Sequence, residues 1–508
     1  MDIDSATACE LIGAIRDRSV SSREVLDHLL ARTERLNPDL NAVVALDVDR
    51  ARAAAGAADA ATAHGTAVGA LHGLPMTVKD VWETEGLVTT SGAPELKAHI
   101  PKVDALAVAR LKSAGAIIFG KTNTPLYAGD FQTFNDVYGL TRNPWDPART
   151  AGGSSGGAAA AVATGLTPLE LGSDIGGSIR NPAHYNGVYG MKPSWGVVPS
   201  RGHIPGPPGS LTEPDVNCNG PLARSLSDLS AALAVVAGPL PEAGVGWRLE
   251  LDPGPEIRDV SQLRVATVLG EGRDLLPVSR DVVACIERFA TRVSDAGARV
   301  DDVALPVALT DGLQAWRDLV LPIIGSGLPD ADFAAFAALD AMDADNPFEQ
   351  AASALASRYR AWARADQRRQ HQRRAWASLF ERYDVVLAPV MPTAAFPHDI
   401  DRPITERVMD VDGTPVAHLV AMAWCGAVGS VLLPVVTLPA GRTPAALPVG
   451  VQVIGPFLGD VRLLRLATLL DASAGPGFTP PPTRDAGLIS STQAPQGESQ
   501  QDTPVRSR

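Results

Sequence analysis

The sequence predicts an α/β fold, and three observations support this prediction. Segments with helical periodicity alternate with short, wholly apolar segments that are typical of buried strands. Hydrophobic residues make up 45% of the 508 residues and charged residues 20%, as in folded globular chains. Glycine is concentrated between residues 152 and 202, but helix-forming and apolar segments lie between the glycines, so this region is not a linker. A chain of this length can bury a large core.

In the first third of the chain, two predicted helices are followed by predicted strands of the sheet. Ser21 and Ser22 can cap a helix that ends near Arg35, and an alanine-rich helix is expected to follow it. The alanine-rich helix is predicted over residues 47–63, strands over 74–80 and 116–119, and a further helix over 104–113.

The remaining elements continue the alternation. Helices are predicted over residues 158–163, 333–341 and 348–380, and strands over 169–171, 188–189, 385–389, 431–436 and 448–455. Residues from about 485 to 508 are rich in Ser, Gln, Pro and Arg, and a disordered C-terminal tail is predicted there.

The charge of the chain argues against two classes of partner. There are 44 basic and 57 acidic side chains, which give a net charge of −13. Such a chain is not drawn non-specifically to nucleic acid or to an anionic membrane, so neither is expected as a partner. No apolar run reaches the roughly 18 residues that a membrane span needs.

The cysteines and the N-terminus indicate the cytoplasm. Cys9, Cys218, Cys285 and Cys425 are scattered and form no C-x-x-C pair, which fits thiols in a reducing compartment. The chain begins Met-Asp-Ile-Asp, with acidic residues where a signal peptide would carry basic ones. A cytoplasmic protein is therefore expected.

One motif imitates a nucleotide-binding loop. Residues 115–122 (Gly-Ala-Ile-Ile-Phe-Gly-Lys-Thr) match the pattern G-x-x-x-x-G-K-[ST]. In a phosphate-binding loop the strand precedes the first glycine, whereas here the apolar residues between the glycines are themselves the predicted strand. Their amides belong to a sheet and cannot surround a phosphate, so no nucleotide cofactor is expected.

Two serine-glycine segments carry the chemistry. Residues 151–157 read Ala-Gly-Gly-Ser-Ser-Gly-Gly, and residues 172–180 read Gly-Ser-Asp-Ile-Gly-Gly-Ser-Ile-Arg. Glycine lets backbone N–H groups converge on one point, as an oxyanion site requires, but flexible loops have the same composition. A serine nucleophile also needs a base, and a lysine can serve only if burial lowers its pKa. Lys79, at the end of an apolar strand segment, is a suitable candidate.

These segments resemble the signature of a known family. Residues 73–80 resemble the lysine strand of the amidase signature family, and residues 152–157 and 172–180 resemble its two serine loops. Residues 189–194 and 447–455 also fit the family. The resemblance extends from about residue 5 to about residue 480.

The resemblance implies a role for individual residues. Ser178 would be the nucleophile, Lys79 the neutral base, and Ser154 the bridging serine that follows a cis peptide bond. The amides of the nucleophile loop would form the oxyanion hole, Ser155 would support the network, and Ala128 would contact the substrate. The oxyanion donors would be the amides of Ile175, Gly176, Gly177 and Ser178.

The resemblance also implies the architecture: one domain over residues 1–484 with a mixed, twisted sheet covered by helices on both faces. Its signature core would span about residues 73–222, and a helical cap over the pocket would span about residues 240–380. No cofactor or metal is expected, and the partner is a small-molecule amide. Homodimers are common in the family, so a homodimer is one expected state.

Other features favour structural interpretations. The arginines between residues 358 and 374 are interleaved with tryptophan, which is typical of RNA-binding segments but commoner in a helix with an exposed basic face. His398 and Asp399 have no second ligand spaced for a metal.

The functional prediction is a serine amidase that cleaves a carboxylic amide to a carboxylate and an amine or ammonia. Carbamate or anilide hydrolysis on the same fold is one alternative. Another is the glutaminase subunit of a tRNA-dependent amidotransferase, and a third is a catalytically silent relative that only binds. The helix-rich stretch between residues 310 and 380 favours a free-standing enzyme.

Overall fold

The computed structural model describes residues 1–66, 69–269, 276–338 and 352–482. The predicted tail at 485–508 lies outside these residues, as do parts of the helices predicted at 333–341 and 348–380. The helices are α1 Ala8–Arg16, α2 Ser22–Leu40, α3 Val48–Ala63, α4 Leu106–Ser113, α5 Gly156–Ala163, α6 Arg180–Asn186, α7 Leu226–Val236, α8 Arg280–Asp295, α9 Leu309–Gly325, α10 Asp330–Ala338, α11 Tyr359–Phe380, α12 Ala423–Ser430 and α13 Asp460–Ala474.

The strands of the described residues form one large sheet and three small ones. They are β1 Val43–Leu46, β2 Pro75–Lys79, β3 Ile117–Thr122, β4 Phe134–Asn135, β5 Gly139–Leu140, β6 Leu169–Asp174, β7 Tyr189–Lys192, β8 Cys218–Ala223, β9 Arg264–Thr267, β10 Arg299–Asp302, β11 Val385–Pro389, β12 Val408–Val411, β13 Thr414–Ala417, β14 Val435–Arg442 and β15 Pro448–Ile454. The large sheet has eight strands in the order β10-β9-β11-β15-β14-β7-β8-β6. Its β10-β9-β11 end is parallel and the remaining pairs are antiparallel, so the sheet is mixed as expected.

Helices cover both faces of the large sheet. In β11, Val385 and Leu387 pack into one hydrophobic cluster, whereas Val386 and Ala388 pack into another. This alternation is the period-two pattern of a strand buried on both sides. The first cluster includes residues of α1, α2, α4, α7, α8 and α13, and the second includes residues of α11 and α12. The predicted α/β architecture is confirmed.

A second sheet supplies the strand that carries the candidate base. It has three strands in the order β1-β3-β2, with β2 parallel to β3 and β1 antiparallel to it. The glycine-lysine pair at 120–121 lies inside β3, where Gly120 and Lys121 pair with both neighbours. Their backbone is thus bound within the sheet, in agreement with the rejection of a phosphate-binding loop.

The structure corrects two predicted elements. The segment 431–436 was expected to be a strand, but α12 precedes it, Leu432 has a φ of +69°, and β14 begins only at Val435. The helical cap at 240–380 is wrong in its first half, because β9 and β10 extend the large sheet and α8 packs on the main core. These strands have only four residues each, and β10 reads Arg-Val-Asp-Asp, so neither has an apolar run that marks a buried strand.

Candidate active site

Lys79 lies at the end of β2 and is completely buried. Its Nζ donates to Ser154 Oγ at 2.6 Å and to Ser173 Oγ at 3.1 Å. Burial lowers the pKa of Lys79 to about 7, although Asp174 and Glu170 oppose this by favouring the charged form. Burial thus favours the uncharged amine of Lys79, which can accept a proton.

Ser154 lies in the tight loop before α5, where the Gly153–Ser154 peptide bond is cis. The glycines of this loop are required by their surroundings. A Cβ at Gly152, which has a φ of +81°, would lie 2.6 Å from Asn181 Oδ1, and a Cβ at Gly153 would lie 2.5 Å from the Asp130 carbonyl. Asn181 also accepts the Gly153 N–H at 3.0 Å, so this side chain on α6 fixes the loop. The sequence prediction did not identify Asn181.

The predicted nucleophile follows β6 in a loop that an ion pair organises. The Asp174 carboxylate accepts the amides of Gly177 at 2.7 Å and Ile179 at 3.0 Å. Arg180 donates to the same carboxylate through Nη2 at 2.8 Å, and both side chains are fully buried. Burial by itself would raise the pKa of Asp174, but the Arg180 guanidinium outweighs it and lowers that pKa to about 2. Asp174 and Arg180 thus shape the loop, as structural partners.

Ser178 lies beside the Ser154 loop, with 6% of its surface exposed. The Ser155 N–H donates to the Ser178 carbonyl at 3.1 Å, which joins the two serine loops directly. Ser155 Oγ donates to the Ser173 carbonyl at 3.4 Å. The structure therefore brings together the three segments that carry Lys79, Ser154 and Ser178.

The predicted oxyanion donors divide into two groups. Within the described residues, the amides of Ile175, Gly176 and Ser178 donate no hydrogen bond to another protein group. The Gly177 amide is already bound to Asp174, which contradicts its predicted role as a donor. Gly177 is needed for its backbone instead, because its φ is +121° and a Cβ there would lie 2.9 Å from Cys425 Cβ.

A tryptophan from the helical side holds the same loop. Trp316 on α9 donates its indole N–H to the Ile175 carbonyl at 2.7 Å. Its ring passes close to Gly176 and Gly426, where added Cβ atoms would lie 3.1 and 3.2 Å from ring carbons. No motif in the sequence indicated this hydrogen bond. Helix α9 therefore contacts the backbone beside the candidate oxyanion donors.

A buried apolar cluster, called the apolar wall below, lies next to the nucleophile loop. Phe131, Val216, Trp316 and Met422 belong to one buried cluster, against which Ile175 packs. A Cβ at Gly176 would lie 2.6 Å from Met422 Cε, so this methionine lies directly over the loop. The same cluster also contains Leu319, Val320, Ala365 and Leu432.

Ala128 lies in a short turn after β3 and has a φ of +56°. Its side chain packs against the large core cluster rather than against the apolar wall. Phe131, three residues later, joins the wall and was not identified from the sequence. The substrate contact of Ala128 stays a prediction.

Across the described ranges, no group of three or more His, Cys, Asp or Glu side chains is placed to hold a metal ion. None of the helices described here is both long and apolar enough to cross a membrane.

The chain is similar to known proteins in sequence and in fold. Residues 24–464 match the family model described as Amidase. An indoleacetamide hydrolase of Bradyrhizobium diazoefficiens is 35% identical over 460 residues, which cover 90% of this chain and 84% of the relative. A glutamyl-tRNA(Gln) amidotransferase subunit from Acidothermus cellulolyticus is 33% identical, with 93% of this chain and 95% of the relative covered. A solved amidase structure is 28% identical, covers 92% of this chain and 100% of its own, and superposes with a TM-score of 0.76.

Proposed function

The chain belongs to the amidase signature family and is an amidohydrolase that cleaves amide C–N bonds, and we propose that it does so through an acyl-enzyme on Ser178. The observation that carries the proposal is the contact between the buried Lys79 amine and Ser154 Oγ at 2.6 Å, in a loop hydrogen-bonded to the nucleophile segment. A hydroxyl is a weak nucleophile until a base removes its proton. Lys79 is that base, and Ser154 relays the proton to it.

In the first half of the reaction, Ser178 Oγ attacks the amide carbonyl carbon. The Ser178 proton passes to Ser154 Oγ while the Ser154 proton passes to Lys79 Nζ. The substrate oxygen becomes an oxyanion, which accepts hydrogen bonds from the free amides of Ile175, Gly176 and Ser178. The relay then runs in reverse and protonates the leaving nitrogen, so that the C–N bond breaks and the amine departs.

In the second half, water replaces the amine. It gives its proton to the same relay and attacks the ester carbonyl of the acyl-enzyme. The ester C–O bond breaks, Ser178 regains its proton, and a carboxylic acid is released. Ser155 supports the relay by its contacts to the Ser173 and Ser178 carbonyls.

We further propose that the acyl group of the substrate is apolar. The wall formed by Phe131, Trp316 and Met422 suits a hydrocarbon or aromatic group. The indoleacetamide hydrolase among the relatives makes an arylacetamide the first substrate to test.

The glutaminase subunit is the second candidate, because a tRNA-dependent amidotransferase relative aligns over 93% of the chain. Glutamine carries a charged amino group and a carboxylate, which need ionic partners when buried. Two largely buried ion pairs lie beside the apolar wall in the chain, since Asp130 precedes Phe131 and Asp215 precedes Val216. Their members bind each other: Asp130 with Arg407 and Asp215 with Arg369. This pairing favours a neutral substrate.

A substrate panel tests the proposal. Indole-3-acetamide, phenylacetamide, glutamine, an anilide and a carbamate are compared by kcat/KM with the purified chain. An arylacetamide is expected to exceed glutamine by roughly 100-fold, since an unpaired buried charge costs about 3 kcal/mol or more. Glutamine as the best substrate, or an anilide or carbamate as the best, would replace the arylacetamide proposal by the corresponding alternative.

We also propose a compartment and an oligomeric state for the protein. All four cysteines are free thiols, which fits a reducing cytoplasm. We propose a homodimer, following the sequence prediction. Gel filtration of the purified chain tests this, and elution as a monomer would contradict it.

A further inference from the structure

The Ser154 loop packs against residues 130–133, a segment that carries none of the proposed catalytic groups. The Thr133 hydroxyl donates to the Gly152 carbonyl at 2.8 Å and accepts the Gly156 N–H at 3.1 Å. These two hydrogen bonds hold the loop on either side of Ser154. The position of Ser154 therefore depends on where residues 130–133 lie.

The backbone that leads into this segment is strained. Tyr127 and Ala128 have φ values of +49° and +56°, in the left-handed region that residues other than glycine rarely adopt. Such a conformation persists only where the surrounding contacts hold it. Residues 130–133 thus need anchors outside the turn that precedes them.

A buried ion pair supplies one anchor. Asp130 Oδ2 accepts a hydrogen bond from Arg407 Nη1 at 2.5 Å, and the two side chains are 11% and 4% exposed. His418 Nε2 lies 3.7 Å from Asp130 Oδ1. Burial by itself would raise the pKa of Asp130, but His418 and Arg407 outweigh it and lower that pKa, which favours the ionised carboxylate. The backbone carbonyl of Asp130 lies against the Ser154 loop, where a Cβ at Gly153 would approach it to 2.5 Å.

Hydrogen bonds between Gln132 and Asp399 form a second anchor. Gln132 Nε2 donates to the Asp399 carbonyl at 2.7 Å, and the Asp399 N–H donates to Gln132 Oε1 at 3.0 Å. Nearby, the Phe396 carbonyl accepts the Thr150 N–H at 2.9 Å, just before the serine loop begins. Residues 396–407 therefore hold both the segment beneath the loop and the chain that enters it.

We propose that Asp130 and Arg407 are positioning residues for the proton relay, which act by fixing the segment beneath the Ser154 hydroxyl. Their side chains bind each other, and they reach the loop only through the backbone that Asp130 belongs to. The inference rests on the proposed function, in which Ser154 passes a proton to Lys79. Loss of the ion pair displaces the relay and leaves its chemical groups in place.

A displaced relay affects amides and activated esters differently. The leaving amine of an amide must receive a proton from the relay before the C–N bond breaks, whereas a p-nitrophenolate ion leaves without one. For both substrates kcat/KM reports the reaction up to release of the leaving group. Displacement of Ser154 therefore lowers kcat/KM for an amide more than for an ester of the same acid.

Replacing Asp130 by asparagine tests the inference, because the side chain keeps its size and loses the charge that pairs with Arg407. The variant Asp130→Asn is compared with the wild type on the best amide of the panel and on the p-nitrophenyl ester of the same acid. Since the two substrates share an acyl group, a change in the acyl pocket affects both alike. The amide-to-ester ratio of kcat/KM is expected to fall by about 10-fold to 100-fold, as when a positioned group is displaced by about 1 Å. An unchanged ratio in the folded variant, including equal falls on both substrates, overturns the inference.

Asp384→Asn is the matched control. Asp384 is 5% exposed, and its carboxylate pairs with Arg264 and Arg462, which lie outside the segments of the candidate site. This variant is expected to lose stability in urea and to keep the wild-type amide-to-ester ratio. A fall in the ratio equal to that of Asp130→Asn would assign the effect to general loosening of the core and overturn the inference.

A second variant covers the case in which Asp130→Asn does not fold. Arg407→Met removes the other member of the pair, while His418 stays beside the carboxylate. The amide-to-ester ratio is expected to fall in the same direction by a smaller amount. A wild-type ratio in that variant overturns the inference.

Failure of the inference and failure of the proposed function give different results. Ser154→Ala removes the relay itself, so an unchanged amide-to-ester ratio in that variant contradicts the relay. Amide turnover by Ser178→Ala contradicts the nucleophile. A lowered ratio in Ser154→Ala together with a wild-type ratio in Asp130→Asn contradicts only the role of Asp130 and Arg407.

Discussion

Replacing Trp316 by phenylalanine should slow the chemical step while substrate binding stays nearly unchanged. The indole N–H of Trp316 binds the Ile175 carbonyl at 2.7 Å, and this carbonyl precedes the Gly176 amide that we assign to the oxyanion. Phenylalanine keeps an aromatic ring between Gly176 and Gly426 but has no donor. The loop then loses the hydrogen bond that sets the direction of its peptide plane.

The size of the effect follows from that one bond. A typical hydrogen bond contributes about 1 kcal/mol net, and an acceptor left unpaired in a buried place costs up to about 3 kcal/mol. Expressed in the transition state, these values correspond to a fall in kcat of about 5-fold to 100-fold. Complete loss of an oxyanion donor costs about 10²- to 10³-fold and sets the upper limit. KM is expected to change by less than roughly threefold, because the hydrogen bond is to the loop and not to the ground-state substrate.

Steady-state kinetics with a small and a bulky amide measure this effect, and Trp362→Phe is the matched control. Trp362 on α11 also donates its indole N–H to a backbone carbonyl, that of Leu319 at 3.2 Å, but away from the nucleophile loop. The control should lose stability without a comparable loss of kcat. Equal falls in kcat for the two variants, or a change confined to KM in Trp316→Phe, would refute the reasoning.

Three further predictions concern the loop, the base and the ion pair. Gly177→Ala should lower kcat, because backbone strain at its φ of +121° costs about 1–3 kcal/mol. Adding Cys425→Ala removes the clash of the new Cβ with Cys425 but not the strain, so it should restore only part of the activity. Full restoration would show that the clash with Cys425 alone matters. Wild-type kcat/KM should fall about tenfold per pH unit below the Lys79 pKa of about 7, since protonation removes the base, and a flat profile from about pH 5 to pH 9 would contradict this. Asp174→Asn should lower the free energy of unfolding in urea at neutral pH by about 3–5 kcal/mol, because Arg180 is left as an unpaired buried charge. The pKa of Asp174 is lowered to about 2, against 3.8 for an unperturbed carboxyl. Ionised Asp174 therefore contributes fully to the free energy of unfolding above about pH 4, and this contribution is lost progressively toward about pH 2. The difference in free energy of unfolding between the wild type and Asp174→Asn should accordingly shrink on acidification.

Local motifs were sufficient to predict which three segments carry the candidate site. The segments of Lys79, Ser154 and Ser178 each have a distinctive pattern, and the structure brings the three segments together. The α/β alternation was also predicted from the residues, whereas the sheet covered on both faces was expected from the family resemblance. The motifs and the alternation depend on residues that are neighbours in the chain or on a repeated period, which a sequence displays directly.

The rest of the site depends on contacts between distant segments. Ser173 accepts a hydrogen bond from Lys79, and Asn181 accepts one from the Ser154 loop, but no motif indicates either bond. Trp316 reaches Ile175 from a helix 141 positions away. The Gly177 amide was misassigned because its acceptor, the Asp174 carboxylate, turns back toward its own loop.

The first half of the predicted cap was wrong for a related reason. β9 and β10 are four-residue strands whose place in the sheet is set by pairing with each other and with β11. A short, partly polar strand has too few positions for periodicity to distinguish it from a loop. Its assignment therefore required the tertiary pairing.

The most direct test of the account is covalent labelling of the proposed nucleophile. The wild-type chain is treated with a fluorophosphonate, and intact mass and peptide mapping locate the adduct, with Ser178→Ala as the comparison. We expect one adduct at Ser178 in the wild type, and neither labelling nor amide turnover in a folded Ser178→Ala variant. Labelling at another residue, or amide turnover by Ser178→Ala at near the wild-type rate, would contradict the assignment of Ser178 as the nucleophile.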